Sequence, residues 1–297
     1  MLDIDFEIKN LTSFKIGGKI ARMYFPASLE EFIEIIKNEP DALIVGNLSN
    51  TLVSSFGYNG AVISTSKMNE ISINNTTVTA GAGVKGPKLS QTAAENCLSG
   101  LEFMIGFPGS VGGEVYMNAS ANSQSVADVL KSVKVYCPEK GVITISKADM
   151  GFDYRTSVCQ NKPYIILEAE FELVKKDKEE INSQMQKNLD FRKKHQPSLN
   201  LPNCGSIFKN PKGNSAGRLL DSIGAKQLAF GGVRVWDNHA NFIVNDRGGN
   251  SLDVLELMFQ MYTKVKEKYN IELEPEIRFL GGNNEKEVEI CRKLKML

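Results

Sequence analysis

The stretch TTVTAGAGVKG, residues 76–86, decides the fold. TTVTA is β-branched or small throughout and reads as a strand. GAGVKG (81–86) then matches G-x-G-x-x-G, and a helix pattern follows over about 87–97 with Pro87 in its first turn. Strand, glycine-rich turn and helix are the context that the dinucleotide fingerprint of a doubly wound sheet requires. That reading also needs a second strand ending in an acidic residue about twenty residues on. Glu102 has the spacing, but FPGSVGG (107–113) follows it where a parallel strand and helix should stand. A tight turn between one strand and one helix explains GAGVKG at least as well.

Outward from this turn the chain alternates strands and helices with no internal repeat. Upstream, IARMYF (20–25) reads as a strand, and Ser28 and Glu31 form an S-x-x-E capping box that starts a helix to about Lys37. ALIV (42–45) is a strand running into the small-residue loop GNLSNT (46–51), and AVIST (61–65) is the next strand. Downstream, 131–137, 142–146 and 164–174 are strand-like, and 178–194 reads as a polar helix. In the last third, SAGRLLDSIG (215–224) is a short helix capped by Ser215 and Gly224, and ANFIVN (240–245) is a strand. Ser251 is expected to cap a long helix with Val254, Leu255, Met258, Phe259, Tyr262 and Val265 on one face. The charged tail 284–297 has helical spacing and reads as a helix docked on the body.

Composition narrows the function. Lys plus Arg equals Asp plus Glu, 35 each over 297 residues, so bulk charge gives no reason to propose nucleic acid or an acidic membrane as partner. Five cysteines, with no CxxC pair, argue against a disulfide framework or a metal site and suit a reducing compartment. The N-terminus lacks a signal-peptide core, and no apolar run approaches the ~20 residues that span a bilayer. A cytoplasmic protein is expected. The oligomeric state is left open, with a monomer compatible.

Three small-residue loops, GNLSNT, GAGVKG and FPGSVGG, fall within about seventy residues. Small side chains let backbone N–H groups approach a pyrophosphate. Each loop alone is also an ordinary turn. Together they favour a dinucleotide spread across two subdomains, and no Walker A motif is present. A fourth segment, PNCGSIFKNP (202–211), holds Ser206. A nucleophilic serine needs a base, yet His195 and His239 are the only histidines and neither lies in a triad signature. The alternative is a serine that gives its proton away.

Eight ordered motifs resemble the UDP-N-acetylenolpyruvoylglucosamine reductase family: NLTSFKIGG (10–18), VGNLSNT (45–51), FPGSVGGEVYMNAS (107–120), FDYRTS (152–157), CGSIFKNP (204–211), AGRLLDSIGAK (216–226), HANFIVN (239–245) and LEPEIR (273–278). The resemblance implies an α+β fold: a vanillyl-alcohol-oxidase/PCMH-type FAD-binding domain of two subdomains, 1–67 and 68–194, and a C-terminal α+β substrate-binding domain, 195–297. It places FAD against Gly46, Asn47, Leu48, Ser49, Asn50 and Thr51 of the first loop. Gly81, Ala82 and Gly83 of the second join the same cleft, as do Gly106, Pro108, Gly109, Ser110, Gly112, Gly113, Asn118 and Ala119 of the third. A branch of the family carries a tyrosine-bearing insertion between the second and third domains; this chain resembles the shorter branch without it.

In such a family NADPH reduces the FAD, and the flavin N5 then gives hydride to the terminal carbon of an enolpyruvyl group on a UDP-sugar. Ser206 matches the residue that protonates the neighbouring carbon, and Arg155 the guanidinium that stabilises the enolate. Glu276 matches the third active-site residue and is expected to have a raised pKa from burial beside the flavin. Lys209, Asn210, Arg278, Lys194 and His239 are expected substrate contacts. Taken singly, Arg155 reads as a surface ion pair, Ser206 as a cap and Glu276 as a solvated strand residue; falling in three separate matching motifs, they read as a site. Leu48 and Thr51 depart from the family pattern, which has glycine and an aliphatic residue there. A Cβ at 48 crowds the pyrophosphate or demands a different backbone angle. A non-catalytic UDP-sugar- or nucleotide-binding relative with weakened FAD binding is therefore a second reading, and an unrelated flavin oxidase a third. The catalytic trio argues against both.

Overall fold

The computed structural model describes residues 2–297. The chain divides into two compact units, and each is built from interleaved segments. One takes Tyr24–Asn47 and Ala61–Arg192; the other takes Asp3–Met23, Leu48–Gly60 and Lys193–Leu297.

The first unit is organised by a five-stranded sheet in the order Gly141–Ser146, Leu130–Cys137, Ile165–Glu172, Thr77–Gly81, Ile71–Asn74. Thr77–Gly81 runs antiparallel to both its neighbours, with Val78 opposite Phe171 and Ile73. A dinucleotide fingerprint sits on a parallel strand, so GAGVKG is a turn of another kind. Alternation sends Val78, Ala80, Val133, Ala169 and Phe171 to one face, where they meet Leu89 and Ala93 of the Gly86–Glu95 helix and Val111 and Val115 of the Val111–Tyr116 helix. A second core joins Phe32 and Ile36 of the Leu29–Asn38 helix to Ile63, Tyr136 and Leu167. The capping box of that helix closes one residue early. Ser28 Oγ accepts from the Glu31 N–H at 3.2 Å, but the Glu31 carboxylate accepts from Ala27 rather than Ser28.

The second unit wraps around the Ser251–Tyr269 helix. Asn250 caps this helix, not Ser251: its side chain accepts from the Asp253 N–H, and Asp253 accepts from the Asn250 N–H, both at 3.1 Å. The helix buries Leu257 and Met261 in addition to the expected face, whereas Phe259 is only partly covered. The expected tail helix forms at Glu285–Lys293 and adds Ile290 and Cys291 to the same core. Glu287 in its first turn is fully buried and accepts from Ser54 Oγ (2.6 Å) and from Ser251 Oγ. Thr51–Val53 and Arg278–Leu280 pair in parallel, Thr51 opposite Arg278. No helix among the described residues is long and apolar enough to cross a membrane.

Candidate functional site

In the first unit, the glycine-rich turns are sewn to each other. The N–H groups of Val111 and Gly112 donate to the carbonyls of Val84 and Ala82 at 2.8 and 2.9 Å. This approach favours glycine at 112, where a Cβ would sit 3.0 Å from Ala82 Cβ. A Cβ at Gly83 would strike the Thr65 carbonyl, and one at Gly46 would strike Ser110 Oγ. Asn47 donates to the Pro108 carbonyl, so the start of GNLSNT and FPGSVGG form one cradle. Gly81 anchors the other edge through its N–H to Glu70, and Gly109 accepts from Gly86. Gly113 is exposed, with Ser110 Oγ 4.0 Å from where its Cβ would stand. Gly106 ends the Glu102–Gly106 turn of helix against the Arg192 side chain.

Two polar side chains in this cradle are buried without partners. Ser110 is 2% exposed and Glu114 4%, and neither the Ser110 hydroxyl nor either Glu114 carboxyl oxygen has a hydrogen bond. Burial pushes the Glu114 carboxyl up from the usual 4.5 to about 8, so it is neutral at physiological pH. An orphaned hydroxyl facing a glycine backbone is what a pyrophosphate oxygen would complete. A neutral carboxyl nearby presents no like charge to it. The residues present fit FAD.

The last part of FPGSVGGEVYMNAS turns to the FDYRTS loop. Asn118, at a positive φ of 42°, donates to the Asp153 carbonyl (3.1 Å) and accepts from the Ala127 N–H (3.0 Å). Ala119 donates its N–H to the Glu114 carbonyl at 2.8 Å. Arg155 lies at the tip of a turn closed by Asp153 and Thr156, has a φ of +54°, and donates through Nη1 to Ser120 Oγ at 2.9 Å.

The second unit gathers the remaining candidates on adjoining strands. The Glu276 N–H donates to the Ile207 carbonyl (2.8 Å), and Ser206 bridges Phe242 in the antiparallel sense. Asn241 fastens this segment by accepting from the Phe208 N–H (3.0 Å) and donating to the Phe208 carbonyl (2.8 Å). Asn50 donates to the Glu276 carbonyl (3.0 Å) and accepts from the Arg278 N–H (2.9 Å). A residue of the first small-residue loop thus sits between Glu276 and Arg278, with Thr51 beginning the strand beside them. Ser49 is half-buried in the same loop. Leu48 resolves the question of its Cβ by its backbone: φ is +51°, the glycine-favoured region, and the side chain is 5% exposed.

The expected substrate contacts are placed less uniformly. Lys209 pairs with Glu274 at 2.5 Å, and Asn210 Oδ1 accepts from the Ala216 N–H at the start of the Ala216–Ser222 helix. Arg278 is exposed on its strand, and Lys194 is exposed near the end of the Lys178–His195 helix. His239 packs between Gly217 and Phe242, and burial, reinforced by Lys226, holds its pKa below the usual value. Cys204 is buried, and burial, with Glu276 nearby, keeps its thiol protonated well above the usual range. Asn241 and Glu114 lie inside HANFIVN and FPGSVGGEVYMNAS, but only the pairing across 33 residues and the missing partners single them out within those motifs. No cluster of His, Cys, Asp or Glu able to hold a metal occurs among the described residues.

Comparison with known proteins agrees with this arrangement. Residues 20–146 match the FAD binding domain, and residues 196–280 match the UDP-N-acetylenolpyruvoylglucosamine reductase C-terminal domain. The chain is 39% identical to the UDP-N-acetylenolpyruvoylglucosamine reductase of Caldicellulosiruptor bescii over 93% of this chain and 90% of that one. It belongs to the UDP-N-acetylenolpyruvoylglucosamine reductase family. The Bacillus subtilis reductase is 38% identical over 93% of both chains. The crystal structure of UDP-N-acetylenolpyruvylglucosamine reductase from Thermus caldophilus superposes with a TM-score of 0.80 at 33% identity, covering 94% of this chain and 98% of that one. The FAD match spans all three small-residue loops, and the reductase match spans Ser206 and Glu276.

Proposed function

We propose that Ser206, Arg155 and Glu276 carry the chemistry of this family's reaction. The protein is an FAD-dependent oxidoreductase. It reduces enolpyruvyl-UDP-N-acetylglucosamine to UDP-N-acetylmuramate in peptidoglycan precursor synthesis, with NADPH as hydride donor. FAD, held by the three small-residue loops, would supply the hydride chemistry between NADPH and the terminal enolpyruvyl carbon. The adjacent carbon, bonded to the sugar oxygen, then carries negative charge delocalised into the carboxylate.

The chain's residues answer that charge. The Ser206 hydroxyl delivers the proton to this carbon, which only a strongly basic carbanion can draw from so weak an acid. The Arg155 guanidinium pairs with the carboxylate as charge grows. Glu276 serves as the third active-site residue, as a protonated donor or by fixing a donor. Gly46–Thr51 and the 81–83 and 106–119 segments hold the dinucleotide, while Lys209, Asn210, Arg278, Lys194 and His239 hold the UDP-sugar. The division 1–67, 68–194 and 195–297 follows these roles, and the core on Phe171, drawn wholly from residues within 68–194, favours that segment as a subdomain. A cytoplasmic location, favoured by five free cysteines among the described residues, completes the reading.

The observation that carries the proposal is the bonding of Asn50 to Glu276 and Arg278, with Glu276 in turn bonded to Ile207 beside Ser206. It ties a cofactor loop to two active-site candidates through backbone groups. The test is an anaerobic titration of the purified flavoprotein. Bleaching by NADPH and return of the yellow colour with enolpyruvyl-UDP-N-acetylglucosamine are expected. Ser206→Ala should keep the first step and lose the second by at least about a hundredfold. Equal slowing of both would sink the proton-donor assignment.

A further inference from the structure

Arg155 occupies a backbone conformation that its side chain does not favour. Its φ is +54°, and it follows Tyr154 at the tip of a four-residue turn closed by hydrogen bonds between Asp153 and Thr156 (3.1 and 3.3 Å). With positive φ at its third position, such a turn usually takes Gly or Asn. A β-carbon there persists only when neighbours hold it.

Two side chains do the holding. The Gln160 amide nitrogen donates to the Arg155 carbonyl (3.0 Å) and to the Tyr116 carbonyl (2.9 Å), with Met117 Sδ a longer third acceptor at 3.8 Å. Tyr116 ends the helix that begins at FPGSVGG, so the amide ties the strained turn to the cofactor cradle. Ser157 Oγ donates to the same Tyr116 carbonyl at 2.8 Å, which fixes that anchor. At the other end of Arg155, Ser120 Oγ accepts from Nη1 at 2.9 Å, and the Tyr154 ring lies 5.3 Å from the guanidinium carbon. Gln160 fixes the backbone and Ser120 fixes the head group.

We propose that Gln160 and Ser120 are positioning residues for the known reaction, holding Arg155 in its left-handed turn with its guanidinium pre-aimed at the substrate anion. The proposal rests on the assignment of Arg155 made above. A guanidinium free to search would bind the carboxylate but meet the growing charge late, so loss of either residue should act on the substrate half-reaction alone.

Anaerobic rapid mixing of the holoenzyme separates the possibilities. Gln160→Met keeps the side-chain length and loses both donors. Its reoxidation by enolpyruvyl-UDP-N-acetylglucosamine is expected to slow by about ten- to a hundredfold, with flavin reduction by NADPH within about twofold of wild type. Ser120→Ala removes one hydroxyl, so it is suited to test the idea even if Gln160→Met does not fold. It should slow reoxidation by about three- to tenfold, and Ser120→Thr should restore it. Gln160→Met placed in Arg155→Ala should slow reoxidation no further, because the group it positions is gone. Wild-type reoxidation in both single variants, beside a slow Arg155→Ala, overturns the positioning role alone. Equal slowing of both half-reactions overturns it too, in favour of a structural staple. A fast Arg155→Ala removes the assignment of Arg155, and this proposal with it.

Discussion

Two buried glutamates, one in each unit, meet burial in opposite ways. Glu287 is fully enclosed, and each of its carboxyl oxygens accepts from a serine hydroxyl, Ser54 and Ser251. Those serines are themselves tied to backbone: Ser251 Oγ accepts from the Ser55 N–H (2.7 Å) and Ser54 Oγ from the Phe56 N–H (3.1 Å). Glu114 is nearly as enclosed, yet neither oxygen has a partner, and its proton is held to about pH 8. Glu287 joins two helices and a strand end, which is a structural task. Glu114 lies one turn beyond Ser110 in the glycine-rich cradle, and its polar capacity is unspent.

The comparison breaks most readily on pH. An unfolded chain releases a glutamate proton near 4.5, whereas folded Glu114 keeps its proton to about 8. Between those values the unfolded state binds fewer protons, so stability falls as pH rises, by as much as about 5 kcal/mol across the window. Above about pH 8 that loss is complete. Urea unfolding of wild type and Glu114→Gln near pH 5 and pH 8.5 should show wild type losing several kcal/mol relative to the variant, on a background in which His239, with its pKa lowered chiefly by burial, favours higher pH in both. Parallel slopes would mean that Glu114 finds a partner in solution.

Next in size is Glu287→Ala. It strands two serine hydroxyls and opens a cavity, and a loss of about 3 kcal/mol is expected at neutral pH, read from the urea midpoint. A loss under about 1 kcal/mol would show that the serines repair their bonding with water. The smallest effect belongs to Leu48→Gly. Relief of the left-handed backbone returns about 1 kcal/mol, and loss of the buried side chain costs about 2, for a net loss of about 1 kcal/mol. Titration with FAD, followed by flavin fluorescence, should show equal or tighter binding. Weaker binding would assign the Leu48 side chain a direct part in the cradle.

Much of the architecture was legible because it follows local rules. The Leu29–Asn38, Gly86–Glu95 and Lys178–His195 helices and the Leu130–Cys137 and Gly141–Ser146 strands all lie where periodicity and turn residues put them. The errors share one cause. Ser251 looked like a cap because serine caps helices, but its hydroxyl is committed to Glu287, 36 residues away, which leaves the cap to Asn250. Leu257 and Met261 are buried beside the expected apolar face because residues distant in the chain pack there as well.

The sequence by itself determined the residue types: the small residues of three loops, Arg155, Ser206 and Glu276, and the family to which such an ordered set belongs. Only the tertiary structure decided what their backbones do. Thr77–Gly81 is antiparallel to both neighbours, which separates a true dinucleotide fingerprint from a look-alike with the same six letters. Leu48 and Arg155 take left-handed conformations that no pattern of letters announces. The physical reason is range. Propensity and capping act within a turn or two of chain, whereas strand partners, orphaned polar atoms and tolerated strain are set by groups that meet only when the chain has folded.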